Sequence, residues 1–484
     1  MKCTIDGKDY EFSPGETIIQ IADRNGIDIP RFCYHPGLTV VAQCRMCAVE
    51  VEKMPKIQTA CSTPAGDGMV IHTKSEKVKK MQSSVMEFLL INHPLDCPIC
   101  DEAGECELQD YSFSYGTPDS RYDEEKRTYL DLDMGPVIKK NMNRCIHCTR
   151  CIRFCDEVGG YREMVAMKRG NSTEIVTVDG APLQTQYAGN LADICPTGSL
   201  TLKDFRFKKR AWYLKKSKSI CEGCSQGCNI DVYQEKDTIY RVLPRENMEI
   251  NKWWICDEGR FLFHYVHSDK RVLEPQKKSG SSFEPMDWYE AIEDAKKLLK
   301  GKVLVLVGSD LSLEEMSAIE KFAESEFDSA DVFHYGTEDH LEASDDKEED
   351  KILRRTSKTA NLHGAEKLEL KGWAEKGSYD SAIVFRGGRA RVLLDLSKNV
   401  SGAVVGFGVF NVDSVTKYKM ILPGLSFAEK AGTYVNWQGK EQKTQRAIQP
   451  IGESKSFSEF QVMWGSASID DAWKNSAGVT HGSV

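Results

Sequence analysis

The sequence predicts a multidomain chain, α+β in its first half and α/β in its second, and two observations carry that prediction. Fifteen of the 17 cysteines in the 484 residues, with one histidine, fall into four sets of four that end at Cys256. Beyond Cys256 the cysteines stop, and strand-like runs alternate with helix-like ones. Small pieces built around ligand loops suit the first part, and a buried sheet with flanking helices suits the second.

Residues 1–75 read as a small β-rich domain. Met1–Ile5 and Tyr10–Phe12 are strand candidates around the turn Asp6-Gly7, Thr17–Asn25 is a helix candidate, and Cys47–Val51 is strand-like. From Glu76 to Ile91, apolar residues recur at Val78, Met81, Val85, Phe88 and Leu89 with a helical period, and Pro94 stops the helix. A basic run from Lys203 to Lys218 reads as a solvated linker face. Val303–Val307 is a buried-strand candidate, Asp380–Phe385 and Ala403–Val409 are further strand candidates, and Ser312 with Glu315 can form a capping box that opens a helix. The charged stretch Glu342–Lys351 reads as an exposed loop.

Composition narrows the function. The net charge of −9 gives no general reason to expect nucleic-acid binding. No window approaches eighteen uninterrupted apolar residues, and the N-terminus MKCTIDGKDYEF is too polar for a secretory signal. An odd cysteine total in a large, leaderless chain argues against a disulfide framework and for thiolate metal ligands in a reducing compartment.

The first set is Cys33, Cys44, Cys47 and Cys61, spaced C-x10-C-x2-C-x13-C. A close pair with two distant partners is how a [2Fe–2S] rhombus is held, each iron taking two thiolates. The second set, His93, Cys97, Cys100 and Cys106, offers three thiolates and one imidazole to a [4Fe–4S] cube. Its neutral imidazole removes one negative charge and so favours the reduced state. The third set has the compact triplet Cys145, Cys148 and Cys151 that wraps one cube, with Cys195-Pro196 as the distant fourth ligand. Cys155 follows the triplet at the bacterial-ferredoxin offset. The positions that would complete its own run are Leu191, Ala188 and Thr185, so Cys155 reads as the stranded ligand of a lost second cluster. The fourth set, Cys221, Cys224, Cys228 and Cys256, is a triplet plus a single cysteine, which suits a further [4Fe–4S] cube better than a zinc ribbon. Only Cys3 and Cys155 are left over. On spacing alone, zinc in a purely structural scaffold is the competing reading for the first two sets.

No residue is a candidate for substrate-bond chemistry. The nearest approach to a dinucleotide fingerprint is Gly406-Phe407-Gly408, and Asn411 stands where its third glycine would be. A lone G-x-G in a strand reads as close packing.

The strings VMEFLLINHPLDCPICDEAGECELQD (residues 85–110), RCIHCTRCIRFCDEV (144–158) and AGNLADICPTGSL (188–200) resemble the large iron–sulfur subunits of respiratory complex I. The resemblance covers residues 1–272. It implies an electron relay in an NADH-oxidising module. The Cys33 set would be its [2Fe–2S] site, the His93 and Cys145 sets its two in-line [4Fe–4S] sites, and the set ending at Cys256 an extra cube off the main route. MDWYEAIEDA (286–295) and LPGLSFAEKAGTYVNWQGKEQ (422–442) are similar to the molybdopterin-oxidoreductase fold. Members that hold molybdenum usually carry a Lys soon after the fourth cysteine, where this chain has Glu258 in the run CDEGR. A trimmed scaffold without molybdenum cofactor is therefore expected.

The resemblance implies five domains: 1–75, a β-grasp [2Fe–2S] ferredoxin domain; 76–136, a helical His/Cys3 cluster domain; 137–215, a bacterial-ferredoxin-like [4Fe–4S] domain; 216–272, a molybdopterin-oxidoreductase-type [4Fe–4S] domain; and 273–484, a shortened α/β scaffold. The implied cofactors are one [2Fe–2S] and three [4Fe–4S] clusters. Implied partners are a flavin- and NADH-binding subunit, a small [2Fe–2S] thioredoxin-like subunit and a quinone-side ferredoxin-like subunit, with a membrane met only through partners. The implied location is the cytoplasmic side of a bacterial inner membrane, in a peripheral arm. The alternative is the electron-transfer subunit of a soluble NAD-linked hydrogenase or formate dehydrogenase.

Overall fold

The structure is a computed structural model, and the residues it describes are 1–336, 349–388, 395–410 and 418–470. The chain divides into two compact units, Met1–Tyr213 and Leu214–Val484.

The first unit opens on β1 (Lys2–Ile5), β2 (Lys8–Glu11), α1 (Ile18–Arg24), β3 (Ala48–Val51), β4 (Gln58–Thr59) and β5 (Val70–His72). The sheet order is β2-β1-β5-β3-β4, with β1 and β5 parallel. Thr17 and Gln20 cap α1 reciprocally, and the helix buries Ile18, Ile19, Ile21 and Ala22 on a core that includes Ile5, Val49 and Ile71. That packing leaves the long stretch between α1 and β3 free to be a ligand loop.

Then come α2 (Glu76–Leu90) and α3 (Glu107–Tyr115). α2 starts at its Ser75 cap, and its C-cap Ile91 lies three residues ahead of Pro94, as the periodicity predicts. Next are β6 (Leu132–Asp133), β7 (Ile138–Lys140), α4 (Arg150–Glu157), β8 (Met164–Met167), β9 (Glu174–Thr177), α5 (Asn190–Asp193) and β10 (Leu200–Leu202). β7 is the middle strand of a three-stranded sheet in the order β10-β7-β6. β6 therefore pairs across the boundary expected at residues 136/137.

The second unit begins with an antiparallel sheet of β11 (Lys215–Ile220), β12 (Asn229–Glu235) and β13 (Thr238–Pro244), followed by α6 (Asp257–Phe261). A hairpin of β14 (Gln276–Ser279) and β15 (Ser282–Pro285) then leads to α7 (Trp288–Leu298), β16 (Val303–Gly308), α8 (Leu313–Glu326), β17 (Ala330–Tyr335), α9 (Leu362–Lys367), β18 (Ser381–Phe385), β19 (Val404–Gly408) and β20 (Tyr418–Pro423). The sheet order is β15-β14-β20-β19-β18-β16-β17, in which β20, β19, β18, β16 and β17 run parallel. A short hairpin, β21 (Thr433–Val435) with β22 (Glu441–Lys443), and α10 (Phe457–Trp464) complete the unit.

The predicted capping box of Ser312 and Glu315 opens α8. Every residue of β16, β18 and β19 is buried, as expected for parallel strands covered on both faces. Helices α7, α8 and α10 pack Ile292, Phe322 and Phe460 on one face of the sheet. The predicted loop Glu342–Lys351 lies outside the described residues except at its last three positions, and Asn411 also lies outside them. The Gly406-Phe407-Gly408 run is close packing: a Cβ on Gly406 would come within 2.7 Å of the Tyr418 ring.

Candidate metal centres

In the first set Cys33, Cys47 and Cys61 are buried and Cys44 is half-buried. The thiols meet in two pairs, Cys33 with Cys44 and Cys47 with Cys61. That is the two-thiols-per-iron division a [2Fe–2S] rhombus needs. The Cys33 thiol and the backbone N–H groups of Cys33, Met46 and Phe32 all point at Cys44, whose thiol is held down to about 5. The loop manages this because Ala42 and Arg45 adopt left-handed backbone, with φ of 51° and 60°, which turns successive N–H groups inward.

The second set hangs on the end of α2. His93 follows the last helical turn, and its N–H donates to Leu90 at 3.2 Å. Its Nδ1 is buried without a hydrogen-bond partner. Burial, then the charges of Lys126 and Arg144, push the imidazole down to about 4. A neutral ring with an unsatisfied buried nitrogen is what a metal ligand requires. Cys100 and Cys106 are buried, and Cys97 is exposed.

The third set surrounds a small space lined by Cys145, Cys148, Cys151 and Cys195 together with Lys140 and Leu200, among others. Burial pushes the Cys148 thiol up to about 12 and Cys195 up to about 11, so these protons leave only in exchange for a metal. His147 and Thr149, on either side of Cys148, are left-handed with φ of 55° and 59°, and His147 N–H reaches Cys145 Sγ at 3.4 Å. Four thiols around a cavity, rather than converged on one point, fit a polynuclear group. Among the described residues no three His, Cys, Asp or Glu side chains are gathered closely enough to hold a single metal ion. Cys155 is fully buried on α4, and Leu191, Ala188 and Thr185 are buried as well. Gly159 lies between the Cys155 backbone and the Thr185 hydroxyl, so protein fills the ground where a second cluster would stand.

The fourth set is held by the β11–β12 turn and α6. Cys221 N–H donates to Cys228 O at 2.8 Å, and Cys256 caps α6, its Sγ accepting from Gly259 N–H at 3.4 Å. A Cβ on Gly259 would come within 2.7 Å of Cys221 Sγ, so glycine there lets Cys256 close on the turn. Glu258, at the position where molybdenum-holding members carry a Lys, pairs at 3.5 Å with Lys358, whose side chain is 3% exposed.

The first three sets share contacts, and the third touches both of the others. Arg153 donates to the carbonyls of Cys33, Thr39 and Cys148, and Arg150 to those of Tyr34 and Ile194. Two arginines of α4 thus join the first set to the third. The third set adjoins the second through the segment after Cys195. Pro196 O accepts from Cys106 Sγ at 3.7 Å, Arg144 pairs with Asp96 at 2.9 Å, and a Cβ on Gly198 would lie 2.3 Å from Cys100 Sγ. Gly198→Ala is therefore expected to displace Cys100 and remove the second set's metal while sparing the first set's. Metal analysis with EPR of the variant checks this, and an intact second-set signal would contradict it.

The basic run corrects the linker expectation. Arg210 donates to the carbonyls of Cys100 and Pro98, Arg206 pairs with Asp131 at 3.3 Å, and Phe207 N–H donates to Asp101 at 2.8 Å. Its first half therefore clamps the second set's loop. Sequence reasoning also missed Arg150, Arg153 and Lys358, which act across a hundred residues or more. It missed Lys140 as well, although the alternation Ile138-Lys139-Lys140 on a strand puts Lys140 on the inward face with Ile138.

Five family models match the chain: a 2Fe-2S iron-sulfur cluster binding domain over residues 1–76, the NADH-ubiquinone oxidoreductase-G iron-sulfur binding region over 82–121, the NADH-quinone oxidoreductase subunit 3 ferredoxin-like domain over 135–201, the molybdopterin oxidoreductase Fe4S4 domain over 214–268, and molybdopterin oxidoreductase over 396–460. An NADH-quinone oxidoreductase subunit of Rickettsia bellii is 43% identical over 326 residues, covering 66% of this chain and 48% of its own. The NADH-ubiquinone oxidoreductase 75 kDa subunit of Reclinomonas americana is 38% identical over 354 residues, 72% of this chain and 51% of its own. The chain thus spans about half the length of the curated relatives it matches. Among solved structures, an NAD+-reducing [NiFe]-hydrogenase in the H2-reduced state aligns over 43% of this chain and 89% of its own, with 29% identity and a TM-score of 0.40. With its 2Fe-2S and 4Fe-4S domains followed by a molybdopterin-oxidoreductase-like part, the chain belongs to the family of large (75–78 kDa type) iron–sulfur subunits of NADH:quinone oxidoreductase.

Proposed function

We propose that this chain relays single electrons within an NADH:quinone oxidoreductase, from a flavin-bearing NADH-oxidising subunit towards a quinone-side ferredoxin-like subunit. The observation that carries the reading is the placement of three candidate ligand sets in one compact unit, the third sharing contacts with both the first and the second. In this reading Cys33, Cys44, Cys47 and Cys61 hold a [2Fe–2S] cluster. His93 with Cys97, Cys100 and Cys106, and Cys145 with Cys148, Cys151 and Cys195, hold two in-line [4Fe–4S] clusters. Cys221, Cys224, Cys228 and Cys256 hold a third cube off the route. The corresponding folds are a β-grasp ferredoxin domain, a helical His/Cys3 domain, a bacterial-ferredoxin-like domain and a molybdopterin-oxidoreductase-type α/β domain, with limits near residues 75, 136, 215 and 272.

Bound clusters would supply one-electron oxidation and reduction. The chain's own residues supply the rest: thiols and an imidazole for iron, inward N–H groups to offset negative charge, and buried arginines that fix the first and third sites together.

The α/β part acts as a scaffold without molybdenum cofactor. What supports this is close packing among the described residues at the carboxyl end of β18, on the side where such sheets usually bind ligands. A Cβ on Gly388 would lie 1.7 Å from the Tyr265 hydroxyl, and Asp310 accepts from Gly387 N–H at 3.0 Å.

Among the described residues no helix is long and apolar enough to cross a membrane. We place the chain in a peripheral arm on the cytoplasmic side of a bacterial inner membrane, beside a small [2Fe–2S] thioredoxin-like subunit, its membrane contact made through partners.

Iron, acid-labile sulfide, zinc and molybdenum in anaerobically purified protein test the reading. About fourteen iron per chain, with one binuclear and several cubane EPR signals after dithionite, is the expected result. Zinc in place of iron would return the chain to a structural scaffold, and stoichiometric molybdenum would reopen catalysis in the α/β part.

A further inference from the structure

Lys140 ends β7, the middle strand of its sheet, with Leu200 paired on one side and Leu132 on the other. Its residue is 1% exposed, yet its Nζ has no hydrogen-bond partner. It lines the same cavity as Cys145, Cys148, Cys151 and Cys195. A buried ammonium without a counter-charge costs several kcal/mol, so packing alone does not explain a lysine in the middle of a sheet.

The neighbouring groups narrow what the ammonium meets. Those whose negative charge bears on it are Cys145, Cys151 and Cys195, with Glu174 the weakest of the four. Glu174 is already held by Lys168. The two arginines nearby point elsewhere, Arg150 to Glu107 and two carbonyls and Arg153 to three carbonyls. The strong anion this lysine awaits is therefore whatever the four thiolates hold.

We propose that Lys140 is the charge partner of the third centre, its ammonium donating from the cavity wall to the sulfur groups held there and favouring their reduced state. The proposal rests on the reading of this set as a [4Fe–4S] site, which iron and sulfide analysis of the unaltered protein tests separately. One electron arriving from the neighbouring first site adds one negative charge to the third site, and the lysine neither gains nor loses a proton. A fixed cation stabilises the more negative state further, so it raises the midpoint potential of that step. Lys140 is in this sense a positioning and charge residue of the relay, distinct from its ligands.

The test is EPR-monitored redox titration of the assembled protein, with the third-centre signal identified by its absence from Cys148→Ala. In iron-replete K140M that signal is expected to be roughly tenfold less reduced at the wild-type midpoint, the size of effect one nearby charge exerts at moderate effective dielectric. K140R, which keeps the charge, is expected to restore most of the difference. An unchanged midpoint in iron-replete K140M would overturn the proposal. Should K140M fail to retain iron, unaltered protein labelled with 15N at the lysine Nζ decides the matter. A pulsed-EPR coupling between that nitrogen and the reduced third centre, lost in K140R, supports the contact; its absence overturns it.

Discussion

Cys148→Ala is expected to abolish NADH-to-quinone electron transfer while leaving NADH-driven reduction of an artificial acceptor at the flavin site largely intact. In the proposed relay Cys148 belongs to the set that touches both of the others. Its carbonyl shares Arg153 with the Cys33 carbonyl, and its thiol lines the third cavity. Alanine leaves three thiols around a space built for four, so about four of about fourteen iron per chain should be lost. The proposed route passes through the third site, so its loss is expected to break that route. Both activities of the assembled complex, measured beside iron content and EPR, check the prediction. Quinone reduction persisting without the third signal would show that electrons take another route.

The second large effect is on stability. Glu429→Ala should destabilise the second unit by about 3–5 kcal/mol, because it strands Arg271 in the interior. Arg271 Nη2 reaches the two carboxylate oxygens of Glu429 at 2.7 and 2.6 Å, and the side chains are 1% and 0% exposed. The same carboxylate accepts the backbone N–H groups of Ser426 at 2.7 Å and Ile451 at 2.6 Å, so its loss leaves several donors unsatisfied at once. Urea unfolding followed in the second unit would measure the cost. A double replacement by Met at both positions should lose clearly less than either single one, since it leaves no buried charge alone. A single-variant cost below about 1 kcal/mol would show that water relieves the pair.

The four sets could be proposed from sequence because metal binding imposes short, rigid spacings on one stretch of chain, as in Cys145-x2-Cys148-x2-Cys151. The helix starts at Thr17 and Ser312 were legible for a similar reason, since capping is settled within four residues. The loop conformations were not. Arg45, His147 and Thr149 take left-handed backbone that glycine would have advertised, beside N–H groups of His147 and Met46 that reach the thiols. Nor did the sequence show that Arg210 would serve the second set, because that role depends on a contact more than a hundred residues away. Lys140 lies five residues from Cys145 and drew no reading from the sequence, since a charged residue on an inward strand face is legible only when the strand itself is recognised.

Chain growth meets these sites in a different order from electrons. The second set is complete in composition once Cys106 has been made, but Pro196, Gly198 and Arg210, which close around it, follow some ninety residues later. The third set likewise waits for Cys195. Synthesis of one short stretch, residues 195–210, therefore completes two centres together, and the first is the only one of the three whose own ligands and loop come entirely from the N-terminal seventy-five residues. A chain interrupted before that stretch would lack, at once, the fourth cysteine of the third set and the residues that close around the second.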